Sequence, residues 1–249
     1  MRRKLTDTAH PDETLTDEFW LRFGDNPQPA MHEKIIYLTM EHVRAKGSWD
    51  FNAAAICQRL GITNPMVNHY FGNRDGLLAA ALFETYRRYV GHLADAVVAA
   101  PHNPRARLEA WMREQITRTC EMGGWSTLLN NPMSALQVTE VFNRDFSDEV
   151  RELFEGNVIL LAYLVRDLRE GYVTQTPTQL QADERQAILQ DPVLAGLIAS
   201  VAWSTMGSAT WLSGQHLPSS RISEVWAMSD QLIDRHVERV LLSVELNSV

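Results

Sequence analysis

Three positions in the first third of the chain constrain its fold more than any bulk property: Cys57, Gly61 and Val67. Two helices cross at a steep angle only where the residue at the crossing is small, and Cys57 holds that place. The chain must then turn sharply, which favours a residue free to take positive φ, and Gly61 follows four residues later. The second helix needs an apolar anchor facing the first, and Val67 comes six residues on, with Ile56, Leu60 and Ile62 completing a small core. Asn52 stands as the cap of the first helix and Thr63 as the cap of the second, each able to accept from free backbone N–H groups. Pro65 falls in the first turn, where a missing N–H is tolerated. This small–glycine–apolar spacing is the pattern of a helix-turn-helix, although any helix pair joined by a glycine turn shares part of it.

The rest of the chain reads as helix too. Apolar residues recur at three- and four-residue steps, Pro and Gly fall mostly at joints, and no useful strand alternation or internal repeat is present. The expected class is all-α: an N-terminal extension over 1–30, a three-helix helix-turn-helix domain over 31–90, and a larger helical domain over 91–249. Helices are expected over 32–46, 52–60, 63–71, 75–99 and 105–121, then near 133–142, at 147–170, and in two closing segments at 192–213 and 220–246. Within the extension, residues 16–23 form a short amphipathic segment closed by Gly24. The extension as a whole is either a partly ordered tail or an arm that packs on the body or touches DNA through Arg2, Arg3 and Lys4.

Charge permits a nucleic-acid partner without demanding one. The chain carries a net −8, yet residues 31–90 hold 7 basic against 5 acidic side chains, with His32, His42 and His69 besides. Screening limits the reach of an acidic body to roughly 8–10 Å. Two cysteines cannot build a disulfide framework, so a cytoplasmic setting is expected. Residues 192–218 contain no Asp, Glu, Lys or Arg, but their Ser and Thr content and the lack of basic anchors favour a buried helix over a membrane span.

Residues 35–82 resemble the DNA-binding domain of TetR-type regulators. The resemblance rests on Lys46-Gly47 ending the first helix, on Ile56-Cys57 and Leu60-Gly61-Ile62-Thr63, and most specifically on His69-Tyr70-Phe71-Gly72-Asn73-Arg74-Asp75 followed by Leu77-Leu78. It implies that the helix from Thr63 enters the major groove, with Asn64, Pro65, Met66 and Asn68 nearest the base edges. Asn pairs with adenine, and Met offers an apolar surface to a thymine methyl. His69, Tyr70 and Arg74 match positions that grip the DNA backbone. Core packing is the competing reading for Tyr70 and the favoured one for Phe71. Two departures stand out: Ala53-Ala54-Ala55 replaces polar residues common at the first motif helix, and Asn68 stands where an aromatic is usual. Readout is therefore expected to concentrate in the second helix, with Asn52 at the edge of the contact.

The family resemblance also gives the remaining domain its expected roles. Gly196, Ser200, Ser204 and Ser208 recur every four residues, and Ile222, Val225, Leu232, Ile233, Val237 and Val240 follow at helical spacing. Two such helices from each subunit would make a four-helix dimer seam, or else would close a monomeric core. A homodimer would set two reading helices about 34–36 Å apart on palindromic double-stranded DNA. Trp111, Trp125, Met133, Phe142, Phe146, Tyr163, Trp203 and Trp211 either fill the core or line a pocket for a small, largely apolar effector.

No metal-ligand spacing, P-loop, nucleophile elbow or dinucleotide fingerprint is present in the sequence, so no cofactor, metal or catalytic residue is expected. The competing classes are an all-helical small-molecule enzyme or carrier and a helical adaptor without DNA binding, the latter given some footing by the alanine run.

Overall fold

The computed structural model describes residues 14–46, 52–121, 136–175, 186–187, 190–212 and 229–246. Among them there are helices and no strand: α1 (Asp17–Trp20), α2 (Met31–Lys46), α3 (Ala53–Leu60), α4 (Asn64–Phe71), α5 (Arg74–Ala99), α6 (Pro104–Glu121), α7 (Leu136–Glu170), α8 (Pro192–Leu212) and α9 (Ser229–Leu246). A 3₁₀ turn, Leu21–Phe23, extends α1. The all-α class with an N-terminal helix-turn-helix is what the sequence led us to expect. No helix among the described residues is long and apolar enough to cross a membrane. Residues 1–13, which include Arg2, Arg3 and Lys4, lie outside the described set, as does most of 175–190.

Two compact units emerge from the contacts. One comprises Met1–Tyr86 and Glu121–Ser147, the other Arg87–Cys120 and Asp148–Val249. In the first, α2, α3 and α4 pack on one another. Ile35, Leu38, Val43, Ile56, Val67, Leu77 and Leu78 are almost completely buried there. In the second, α8 packs on α9, and the core runs through Trp111, Met112, Ile116, Leu160, Tyr163, Leu164, Val201, Val237 and Leu241. The indole N–H of Trp111 donates to Asn157 Oδ1 at 3.1 Å, which satisfies the one polar atom of a buried indole.

One boundary differs from expectation. The break foreseen between residues 142 and 147 does not exist, and α7 runs unbroken for 35 residues. Asn143, Asp145 and Ser147 are cap-forming types, but no Gly or Pro stands between residues 142 and 147. Phe142 and Phe146, one turn apart, share a face, and Phe146 stacks on Phe83 of α5 with centroids 4.8 Å apart. Packing overrides the local capping preference.

The amphipathic segment ahead of α2 does form, as one α turn and one 3₁₀ turn capped by Thr16, whose Oγ1 accepts from Phe19 N. Phe19, Trp20 and Phe23 are all buried. Phe23 stacks flat on Tyr37 of α2 at 4.7 Å, Lys34 lies over the Trp20 ring, and Arg59 of α3 lies over Phe19. This stretch is a strap fastened across α2 and α3.

Candidate nucleic-acid interface

The α3–α4 junction is built from backbone rules that the residues obey closely. Asn52 Oδ1 accepts from Ala54 N at 2.9 Å and so caps α3. At the other end Gly61 sits at φ +65, the left-handed region that disfavours side chains. Its N–H reaches Gln58 O, and Ile62 N reaches Cys57 O at 3.0 Å, the paired bonds of a Schellman stop. Cys57 lies at the crossing and is 6% exposed, while Ile56 and Val67 are each 1% exposed.

Thr63 occupies the cap position of α4 but makes no capping side-chain bond, contrary to expectation. The first turn of α4 is tied down differently: Cys57 Sγ donates to Asn64 Oδ1 at 3.2 Å. Burial pushes the Cys57 thiol up from its usual range, partly offset by a backbone hydrogen bond, so the sulfur keeps its proton and acts as a donor.

With Val67 turned inward, the outward face of α4 consists of Asn64, Pro65, Met66, Asn68, His69 and Tyr70, all exposed. Tyr70 is 45% exposed and so is not a core aromatic, whereas Phe71 is half-buried. Rings gather at the end of the helix: His69 lies 5.4 Å from Tyr70, and His32 at the start of α2 lies 6.1 Å from it. Beyond Gly72, at φ +74, Asn73 Oδ1 caps α5 by accepting from Gly76 N. Arg74 opens α5 with its guanidinium 3.1 Å from Asp75, an exposed pairing of the kind that holds weakly. Eight of the nine positions expected to meet DNA thus lie on α4, at its cap or at the start of α5, while Asn52 caps the far end of α3.

Sequence reasoning passed over one contributor here, Gly76, where a side chain would meet the backbone of Phe71. The aromatic strap answers to the short amphipathic segment expected over 16–23, and its buried Phe19, Trp20 and Phe23 match the reading of an arm that packs, here on α2 and α3.

The expected pocket residues that are described divide between the two units. Trp111 and Tyr163 belong to the core of the second unit, Phe142 and Phe146 to the first unit, and Trp203 is 72% exposed. Trp125 and Met133 lie outside the described residues, as does the side chain of Trp211. The expected seam also divides. On α8 Gly196 and Ser200 are exposed and Ser204 is half-buried. On α9 Leu232 is exposed, but Val237 and Val240 are committed to the unit's own core and Ile233 packs against it. The reason is periodicity: one apolar stripe of α9 faces inward, so the outward face falls instead to Leu232, Leu242 and Leu246. The Ser208 side chain, Ile222 and Val225 lie outside the described residues. No cluster of metal-ligating side chains occurs among the described residues.

No family model matches the chain, and no solved structure matches it. Curated relatives do. An HTH-type transcriptional regulator BetI of Serratia proteamaculans (strain 568) is 34% identical over 88 residues, covering 33% of this chain and 42% of that protein. The protein of the same name from Yersinia pestis (strain Pestoides F) is 35% identical over the same coverage. The one from Pectobacterium carotovorum subsp. carotovorum (strain PC1) is 29% identical over 119 residues, 43% of this chain and 59% of that protein. The matched stretches therefore span about half the length of these relatives. The chain is thus similar over part of its length to HTH-type transcriptional regulators, which is consistent with the TetR-type resemblance of residues 35–82, and its residues from α2 to the start of α5 fold as a helix-turn-helix.

Proposed function

We propose that this protein is a ligand-responsive transcriptional regulator, a repressor, that binds palindromic double-stranded DNA as a homodimer. The observation that carries the reading is the division of α4 into a buried anchor, Val67 at 1% exposure, and an exposed outward face of polar and apolar side chains over which no other helix lies among the described residues. A helix presented in this way fits the major groove, with Asn64, Pro65, Met66 and Asn68 toward base edges and His69, Tyr70 and Arg74 toward phosphates. Asn52 and Thr63 flank the contact.

A single reading helix makes few contacts, so two copies are needed. The dimer reading is supported by the outward face of α8, where Gly196 and Ser200 allow close approach beside Val193 and Trp203, 54% and 72% exposed. Leu232, Leu242 and Leu246 of α9 add to it. The effector is proposed to be small and largely apolar, to act in the cytoplasm, and to release the DNA by favouring a different spacing of the two reading helices. No catalysis is proposed.

Titrating fragments of genomic DNA with the protein in gel shifts tests this. Specific retardation that weakens steeply with salt supports the reading, since phosphate contacts release counterions. Arg74→Ala should weaken binding to all duplexes alike. Absence of retardation at low salt overturns the proposal.

A further inference from the structure

The hydrogen bond between Cys57 and Asn64 bears on which base is read. Cys57 is 6% exposed at the helix crossing, and Asn64, seven residues on, is exposed at the first position of α4. The thiol has one proton, and it goes to Asn64 Oδ1. Thr63 makes no competing capping bond from its side chain, so this contact is what orients the opening of the helix. An asparagine amide has one acceptor side and one donor side. When Oδ1 is drawn toward the buried sulfur, the NH2 group points the other way, outward.

We propose that Cys57 is a positioning residue for base recognition: it turns the Asn64 amide so that only its N–H donors face the duplex, selecting guanine. Pairing with adenine needs both sides of the amide, Oδ1 accepting from N6 and the NH2 donating to N7. Guanine presents two acceptors in the major groove, N7 and O6, and asks for donors alone. The inference rests on the DNA-reading function above and reverses the adenine preference expected from sequence. It adds a residue of α3 to specificity although that residue touches no DNA.

The test is selection of sites by the full-length protein from a randomised duplex library, followed by affinity measurements on the selected site with single base pairs replaced. Asn64→Ala defines the base pair that depends on this residue, by loss of preference there. The wild type should prefer guanine at that pair by roughly fivefold or more. Cys57→Ala should shift the pair toward adenine with affinity for unrelated duplex unchanged. Cys57→Ser, whose hydroxyl can donate in place of the thiol, should keep guanine.

Adenine at that pair in the wild type overturns the proposal, and this arm decides even if Cys57→Ala fails to fold. So does a Cys57→Ala protein that folds and keeps the guanine preference, or an Asn64→Ala protein that changes no preference. Failure of the wild type to bind any duplex overturns the DNA-reading function itself, an outcome distinct from the others.

Discussion

The carbonyl oxygen of Phe71, at the end of α4, occupies space that a Cβ on Gly76 would need, closer than real side chains approach backbone. Asn73 closes the same corner from the other side, with its N–H on Phe71 O at 2.8 Å and its Oδ1 on Gly76 N at 2.9 Å. The corner sets the angle at which α4 leaves the body of its unit. Inside an ordinary helix Gly→Ala would stabilise by up to about 1 kcal/mol. Here the added methyl meets backbone, which cannot rotate away, and overpacking of this kind costs about 1–3 kcal/mol. Gly76→Ala should therefore lower the urea midpoint and weaken DNA binding together. A neutral or stabilising substitution would show that the corner yields.

The contrast between Gly61 and Gly76 marks what could be read from the sequence. Gly61 was legible because its signal is local: a small residue, a turn and an apolar anchor at fixed spacing. Gly76 serves a contact with the preceding helix, and nothing within α5 itself calls for a missing side chain. The same distinction explains α9. Its apolar periodicity was visible, but Val237 and Leu232 are both apolar and adjacent stripes of one helix look alike in sequence. Which stripe faces the unit's own core depends on where α6 and α8 lie, and that is decided by tertiary packing. Asn64 was legible as an exposed polar residue on the reading helix, whereas the direction of its amide depends on a sulfur seven residues away.

The strap ahead of α2 should contribute stability rather than serve as a loose tail. Phe19 is 1% exposed, touches Trp20 edge-on at 4.9 Å, and lies beneath both Arg22 and Arg59. Truncating a buried Phe to Ala removes about 3–5 kcal/mol. Phe19→Ala is expected to destabilise by at least about 3 kcal/mol in chemical denaturation followed by circular dichroism. A change below about 0.5 kcal/mol, typical of surface positions, would mean that the strap is not docked in solution.

Two substitutions on the closing helices should separate core from seam. Val237 is 1% exposed within the second unit, and Val237→Ala should lower its stability by about 2 kcal/mol, from lost burial and the cavity left behind. The assembly state should not change. Trp203, 72% exposed on α8, is the opposite case. Trp203→Arg would place a charge in the proposed seam, and sedimentation should find monomers with an unaltered helical spectrum. Monomers from Val237→Ala, or dimers that persist in Trp203→Arg, would reverse the assignment.

His236 gives the protein a defined acid sensitivity. Burial against the core of the second unit holds its imidazole below the usual 6.5, and the neighbouring Arg239 guanidinium lowers it further. The native state thus favours the neutral ring, while the unfolded chain takes up a proton near the ordinary value. Above pH 6.5 both states are neutral at this site and stability is unaffected by it. As pH falls below 6.5 and through the depressed native value, the unfolded state binds the proton more readily, and stability is lost. Denaturant midpoints should therefore fall between pH 7 and about pH 5, and His236→Gln, which carries no titrating group, should flatten that decline. An unchanged slope in the variant would assign the sensitivity to other groups.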